Sequence, residues 1–329
     1  MLSVICPIYN EEKYIRQCID SVLSQDYPYN DLEVLFVDGM STDCTRAIVT
    51  EYTKQYSHIR LIDNPHKIVP RAMNIGIHAS KGNIIIRLDA HASYQPDYFS
   101  VLYRYSCELR VENVGVVCKT DVLNKTPKTL AIREVLSNKF GVGNSAFRTG
   151  INQIMEVDTV PFGCWPRSVF DRYGLYDERL IRNQDIELNK RIKHGGGKIV
   201  IVPDTYCTYL ARETFSGLAK NNFGNGKWNI LTVYYTGQLR SLSLRHFIPL
   251  IFLISLILPV LVSFIWPPLG LVAILSIVGY LFAVGTISGM LAHRKGLHFG
   301  YLLWSFIVLH LSYGWGSLCG LISVIFNKK

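Results

Sequence analysis

The sequence predicts an α/β fold: a mostly parallel sheet with helices on both faces, followed by an all-α, apolar C-terminal part. Two observations carry this. Strand-like apolar runs alternate with helical patterns from Leu2 to Leu88, the rhythm of a parallel sheet covered by helices. Three long apolar runs then close the chain, at 247–266, 269–291 and 299–326.

Residues 2–6 read as a strand that Pro7 ends, and 11–25 carries Ile15, Ile19, Val22 and Leu23 at helical spacing. A strand at 32–38 leads into a helix over 42–56, with Ser41 or Thr42 placed to cap it. A strand at 59–63, a helix at 71–81 and a strand at 83–88 follow. In such sheets ligands bind beyond the carboxyl ends of the strands. Pro7 to Glu11, Asp38 to Asp43 and Asp89 to His91 therefore belong on one rim. The middle is less regular: a strand at 114–118, a glycine-containing loop at 141–150, a helix at 183–194 stopped by Gly195-Gly196-Gly197, and a strand at 198–202.

Composition divides the chain near residue 240, into a globular domain over 1–240 and a membrane domain over 241–329. From Phe247 to Phe326 there is no Asp or Glu, and Arg294 and Lys295 are the only Lys or Arg. Each apolar run reaches the roughly 20 residues a spanning helix needs. With the globular domain in the cytoplasm, the first run leaves, the second returns, and the basic loop 292-AHRKGLH-298 lies inside, as the positive-inside rule prefers. The third run then leaves Asn327-Lys328-Lys329 outside, against that rule. Its Gly314, Gly316 and Gly320 also allow part of it to lie in the interface.

The formal charge of +9 suits anionic lipid better than nucleic acid, because the basic residues are scattered and no zinc-finger spacing or helix-turn-helix signal accompanies them. The eight cysteines include no Cys-x-x-Cys pair, and several sit in apolar runs. They read as reduced core thiols, not a disulfide framework. The N-terminal apolar run is short and has no basic residue before it, so it does not read as a signal peptide.

Four places could carry chemistry. Asp89 and His91 end a hydrophobic strand two residues apart, where alternation sends both side chains to one side. A carboxylate and an imidazole there suit manganese or magnesium, with diphosphate oxygens completing the shell; equally, they could be a capping Asp and an exposed His. Asp38, in 36-FVDGMSTDCT-45, could meet a pyrimidine or a ribose, or could belong to an ordinary capped strand-to-helix turn. Pro7, Tyr9 and Glu11 form the opposite wall, with Tyr9 able to stack on a base or to sit in the core. Asp185 is either a general base or an acid favoured by the helix dipole, with Glu187 and Arg191 supporting it or at the surface. Lys227 and Trp228 could meet a diphosphate and a sugar face or anchor the chain at the interface. Arg148 could reach a phosphate or remain in a solvated loop.

In order and spacing these segments resemble family 2 glycosyltransferases of the GT-A fold, from Leu2 to about Trp228. The run 4-VICPIYNEE-12 resembles the first strand and nucleotide loop, and 37-VDGMSTD-43 the Asp-Asp-Gly-Ser-Thr-Asp pattern, with Gly39 replacing the second acidic residue and Met40 the glycine. The run 87-RLDAHA-92 resembles the Asp-x-Asp metal motif with His91 in its last position. The segment 174–196 resembles the acceptor side, with Gln184-Asp185 in place of Glu-Asp, and Lys227-Trp228 imperfectly resembles the Arg-Trp motif of processive members. Asp-Ala-His-Ala, 141-GVGNSAFR-148 and 157-VDTVPFG-163 are similar to the bacterial enzymes of succinoglycan-type exopolysaccharide assembly.

The resemblance implies an inverting transfer of a hexose, often glucose from UDP-glucose, to a polyprenyl-diphosphate-linked saccharide at the bacterial inner membrane. It implies Mg2+ or Mn2+ on Asp89 and His91, Asp185 as base, and a donor set of Pro7, Tyr9, Glu11, Asp38, Lys67, Asp89, Lys227 and Trp228. The implied partners are the UDP-sugar, the lipid-linked acceptor, the bilayer and other polysaccharide-assembly proteins. The alternatives are a processive synthase and a non-catalytic scaffold of an assembly complex. A transporter is disfavoured, because apolar runs with only two charged residues line a pore poorly.

Overall fold

A computed structural model describes residues 1–237 and 244–326. The boundary expected near 240 and the terminal Asn327-Lys328-Lys329 lie outside the described residues. The strands are Leu2–Ile8 (β1), Leu32–Asp38 (β2), Ile59–Asp63 (β3), Ile84–Arg87 (β4), Ala92–Tyr94 (β5), Asn113–Asp121 (β6), Met155–Glu156 (β7), Cys164–Pro166 (β8) and Ile199–Leu210 (β9). The helices are Ile15–Leu23 (α1), Thr45–Gln55 (α2), Val69–Ala79 (α3), Tyr98–Leu109 (α4), Pro127–Ser137 (α5), Lys139–Val142 (α6), Ala146–Thr149 (α7), Ser168–Tyr173 (α8), Gln184–His194 (α9), Phe215–Thr236 (α10), Ile248–Ser263 (α11), Gly270–Lys295 (α12) and Phe299–Phe326 (α13).

Two compact units result: Met1–Lys119 with Ser145–Leu210, and Thr120–Asn144 with Ala211–Lys329. The first holds one sheet in the order β3-β2-β1-β4-β8-β6-β9-β5, with β7 added on β9. β3, β2, β1 and β4 are parallel, as the strand–helix rhythm predicts. β8 pairs antiparallel with β4 and β6, and β9 antiparallel with β5 and β7, so the sheet is mixed. β1 and β2 are almost wholly buried, which is why they read as unbroken apolar runs. Alternation sorts β1 between two cores. Val4, Cys6 and Ile8 pack with Ile15 and Ile19 of α1 and Phe99 and Leu102 of α4. Ile5 packs with Met73 and Ile77 of α3 and Leu188 and Ile192 of α9.

Two local expectations are corrected. Pro7 does not end β1, which continues to Ile8. β4 pairs with β1 only from Leu2 to Ile5, whereas β2 pairs along its whole length. Pro7 thus sits where one flank has already opened, and its missing N–H disrupts no ladder there. Nor do Ser41 or Thr42 cap α2. The N-cap is Cys44, whose N–H donates to the Glu12 carboxylate at 3.1 Å, while Asp43 Oδ1 accepts the N–H of the first helical residue, Thr45, at 3.0 Å.

In the second unit α5 lies against α12 and α13. Ala131 and Val135 bury with Val284, Leu302, Phe306 and Leu309. α10 runs along α13 at close range: a side chain at Gly226 would strike the Tyr313 carbonyl, and one at Gly316 the Phe223 carbonyl. The first apolar run becomes a helix of 16 residues with Pro259 inside it. The other two runs lie in helices of 29 and 28 residues (Pro267–Lys295 and Phe299–Phe326), long and apolar enough to cross a membrane.

Candidate active site

The carboxyl ends of β1, β2 and β4 open onto one rim. The loop after β1 and the turn after β2 are laced together there. Asn10, in the left-handed region at φ 55°, donates its N–H to Ser41 Oγ at 2.9 Å and accepts the Thr42 N–H on Oδ1 at 2.8 Å. The Glu11 N–H donates to Thr45 Oγ1 at 2.7 Å, and the Glu12 N–H to Asp43 Oδ2 at 3.2 Å. Burial would raise the Asp43 carboxyl, but hydrogen bonds from Thr45 and Glu12 outweigh it and hold that group below its ordinary value.

Asp38 is fully buried at the end of β2. Its Oδ1 accepts Ser41 Oγ–H at 2.6 Å, and its Oδ2 accepts from Arg46 at 3.0 Å, which also reaches Asp63 at 2.7 Å. Asp38 is therefore first the organiser of its own turn. Gly39 lies under Tyr9: a Cβ on it would come within 3.2 Å of the Tyr9 ring. A side chain there would therefore need the exposed Tyr9 ring to give by a few tenths of an ångström. Met40, where the pattern has glycine, still takes the glycine-type backbone at φ 61°. Lys67 is exposed at φ 61° and donates its N–H to the Asn64 carbonyl at 3.2 Å; Asn64 in turn donates its own N–H to the Asp38 carbonyl at 2.7 Å.

Two strands across from Asp38, about 10 Å by strand spacing, β4 delivers Arg87 and Asp89. Ile84, Ile86 and Leu88 join the core on the α1 and α4 side, and Ile85 the opposite one. Alternation therefore sends Arg87 to the face covered by α3 and α9. The guanidinium is 5% exposed and donates from Nη2 to Asp89 Oδ1 at 3.1 Å. Burial would lower its pKa, but the charges of Asp89 and then Asp185 overcome that and raise it. The same two carboxylates act on the buried Tyr176 hydroxyl, which burial pushes up. Asp89 thus hydrogen-bonds a buried cation on which the charge of Asp185, 96 positions further along the chain, also acts. Asp185 sits partly exposed in the first turn of α9 and accepts the Ile186 N–H on Oδ1 at 2.9 Å.

The Tyr94 hydroxyl clamps the main chain at Asp89, accepting its N–H at 2.8 Å and donating to its carbonyl at 3.1 Å. His91 Nδ1 lies 3.2 Å from Glu11 Oε1, and its ring meets Tyr209 edge-on at 5.0 Å. Arg148 lies over the Tyr209 ring at 5.7 Å. The buried Cys118 thiol senses this corner: a hydrogen bond with Cys207 and the Arg148 charge lower it. Glu187 and Arg191 form an i,i+4 ion pair at 2.7 Å, and Arg191 also donates to the Leu175 carbonyl at 2.9 Å. Both are structural. Lys227 and Trp228 lie on α10 in the second unit, with Trp228 stacked on Tyr235 at 6.5 Å.

Among the described residues no three His, Cys, Asp or Glu side chains form a metal cage. What the rim offers is Asp89, whose Oδ1 is held by Arg87 while Oδ2 has no protein partner among the described residues, with His91 two residues on. That set fits a magnesium- or manganese-type ion bound by one or two side chains and substrate phosphates.

Sequence reasoning missed Arg87, Tyr94, Tyr176 and Arg46. A signal existed for the first, a lone arginine inside 84-IIIRL-88 two residues before Asp89. The others are brought in by tertiary contact and have no local mark.

A curled sheet with its parallel half ending in an acidic rim is the GT-A architecture of glycosyltransferases. The family model described as "Glycosyl transferase family 2" matches residues 3–177, and the chain belongs to that family. It is 27% identical over 270 residues to the dolichyl N-acetyl-alpha-D-glucosaminyl phosphate 3-beta-D-2,3-diacetamido-2,3-dideoxy-beta-D-glucuronosyltransferase of Methanococcus voltae, covering 80% of this chain and 84% of that one. It is 27% identical over 235 residues to the succinoglycan biosynthesis protein ExoA of Rhizobium meliloti, covering 68% and 67%. Among solved structures it resembles the mannosyltransferase PcManGT of Pyrobaculum calidifontis, in complex with GDP-Man and Mn2+, at a TM-score of 0.58 and 17% identity, covering 100% of this chain and 88% of that one. The protein is a glycosyltransferase.

Proposed function

We propose that this glycosyltransferase moves a hexose, glucose being the first to test, from a UDP-sugar to a polyprenyl-diphosphate-linked saccharide, inverting the anomeric carbon. The observation that carries this reading is Asp89 at the rim, held by buried Arg87 at 3.1 Å, with the charge of Asp185 in the first turn of α9 also acting on that guanidinium. In this reading Asp89 is the donor-side carboxylate and Asp185 the acceptor-side one. Asp89 and His91 would hold a divalent cation, which supplies positive charge for the donor diphosphate. Arg87 fixes the Asp89 carboxylate, and Tyr94 fixes the backbone beneath it. The exposed ring of Tyr9 offers a stacking face for the base, walled by Pro7, Glu11 and the Asp38 turn, with Lys67 at its edge. Asp185 takes the proton from the attacking acceptor hydroxyl as the glycosidic bond to UDP breaks. No covalent enzyme intermediate is needed.

The lipid-linked acceptor is supported by the dolichyl-linked substrate named for the Methanococcus relative and by the succinoglycan role named for the Rhizobium one. A polyprenyl tail leaves a bilayer at high cost, so an enzyme acting on it works at the membrane surface. The second unit, with its two long apolar helices, would hold the protein there, at the cytoplasmic face of a bacterial inner membrane, and Lys227 and Trp228 would meet the donor or acceptor from α10. The test is a screen of UDP-sugars against a pool of lipid-linked acceptors in membranes carrying the protein, with mass readout. A product heavier by one hexose is expected; consumption of no UDP-sugar would reject the reading. Exchanging Phe223 and Trp228 for Ser should impair transfer to lipid-linked acceptors more than hydrolysis of the UDP-sugar, and equal loss of both would remove α10 from acceptor handling.

A further inference from the structure

We infer that a groove between α10, α11 and α13 seats the isoprenoid diphosphate of the lipid-linked acceptor, with Lys220 on the diphosphate and the apolar walls on the first isoprene units. The inference rests on the acceptor class proposed above and gives that acceptor a place in the second unit.

The groove follows from how three helices meet. On α10, Ala219, Lys220 and Phe223 stand three, four and seven positions after Ser216, so all four share one helix face. Glycines bring α10 and α13 together main chain to main chain, Gly226 against the Tyr313 carbonyl and Gly316 against that of Phe223. Beside this contact α13 presents Leu311, Ser312 and Trp315, and α11 presents Leu253, which lies against Gly314. These side chains bound a groove of about 560 Å³, within the roughly 300–1,000 Å³ of small-ligand sites. Leu311 and Trp315 are themselves 37% and 51% exposed, so the groove is open along its α13 wall. A chain longer than the groove can run on from there into lipid.

Its chemistry is that of a seat for an amphiphile with an anionic head. Phe223, Leu253, Leu311 and Trp315 give apolar surface, and Lys220 is the one charged residue among the lining side chains. The lysine stem can lie along that surface while the ammonium stays in water. No ion pair or hydrogen bond engages the Lys220 ammonium among the described residues. From Phe247 to Phe326 there is no Asp or Glu, so neither α11 nor α13 can supply a counter-ion. Glu213, just before α10, is taken by Asn124, whose N–H and Nδ2 donate to it at 2.5 and 2.8 Å. The counter-charge to Lys220 is therefore not built into these helices. A phosphate oxygen supplies it, and the Ser216 hydroxyl, one turn earlier on the same face, adds a donor. A groove bounded by one face of α10 takes one chain, which suits an isoprenoid; a diacyl lipid brings two.

The test uses the full chain in detergent with farnesyl diphosphate, a short soluble isoprenoid diphosphate. Calorimetry reads its affinity, and a benzophenone-bearing analogue is photo-crosslinked and located by peptide mass. Lys220→Gln, and separately Ala219→Phe, which fills the groove from α10, should each weaken binding at least ten-fold at an unchanged unfolding midpoint. Crosslinks should fall in α10, α11 or α13. Wild-type affinity in both variants, or crosslinks confined to other segments, would overturn the inference. So would competition by phosphatidylglycerol as strong as by unlabelled farnesyl diphosphate, which would make the groove a general anionic-lipid site. Failure of the wild-type chain to bind farnesyl diphosphate while it still binds UDP would instead remove the polyprenyl acceptor beneath the inference.

Discussion

Replacing Asp89 with alanine should do two separable things. The first is structural. Arg87 is 5% exposed, it holds Asp89 at 3.1 Å, and among the described residues its Nε and Nη1 have no hydrogen-bond partner. Deleting one partner of a buried pair leaves an uncompensated charge, at about 3–5 kcal/mol. The Asp89 side chain is 21% exposed and Asp185 remains near the guanidinium, so the lower end applies, about 3 kcal/mol. For a domain of this size that is a fall of about 6–12 °C in unfolding midpoint. Adding Arg87→Met removes the orphaned charge, so the double variant should be more stable than the sum of the single changes by about 1–3 kcal/mol. The second effect is on ligand: both variants should lose the part of UDP affinity that depends on manganese. Unfolding followed by intrinsic fluorescence in detergent, with calorimetry of UDP binding with and without Mn2+, reads both. Additive midpoints would refute the buried-pair argument. Equal metal-dependent affinity in wild type and Asp89→Ala would refute the metal role.

Asp185→Asn should lower turnover by about 10²- to 10⁴-fold, the usual contribution of a positioned base, and leave UDP affinity unchanged; wild-type turnover would reject the assignment. Met40→Gly should raise the unfolding midpoint by about 2–4 °C, because the left-handed backbone at φ 61° costs a side-chain-bearing residue about 1 kcal/mol and the side chain is 41% exposed. A lower midpoint would mean that the Met40 side chain stabilises the turn. Gly316→Leu should force α10 from α13 and destabilise the second unit by about 1–3 kcal/mol or more. Proteolysis of α10 at an unchanged rate would contradict that packing.

Much of the rim was legible in order, because strand ends are local. Asp38 and Asp89 each close an apolar run, and alternation with connection direction places them on one edge. The α9 acid was legible as a helix-start residue, and the family resemblance set it in one cleft with Asp38 and Asp89. Its effect on Arg87 was not legible, since it depends on Arg87 turning to the α9 face and on that helix covering the sheet. The end of β1 at Pro7 was misread because a proline's effect depends on which flank still carries a ladder. The start of α2 was misread because Ser41 is tied to Asp38 and Asn10, and the Cys44 N–H is satisfied by Glu12, 32 residues away in sequence. In the antiparallel half β6 and β9 were legible in part, as strands at 114–118 and 198–202, but β5, β7 and β8 have three residues or fewer, too short for a period to register.

The sequence by itself determined the α/β rhythm, the acidic strand ends and the apolar C-terminal stretch, since each follows from period, composition and turn chemistry within a few residues. Tertiary structure alone decided that Asp89 pairs with a buried arginine on which the Asp185 charge also acts, and that residues 120–144 pack with the C-terminal helices. Those outcomes depend on which surfaces meet, and burial, with the charge pairing it enforces, is a property of the assembled chain.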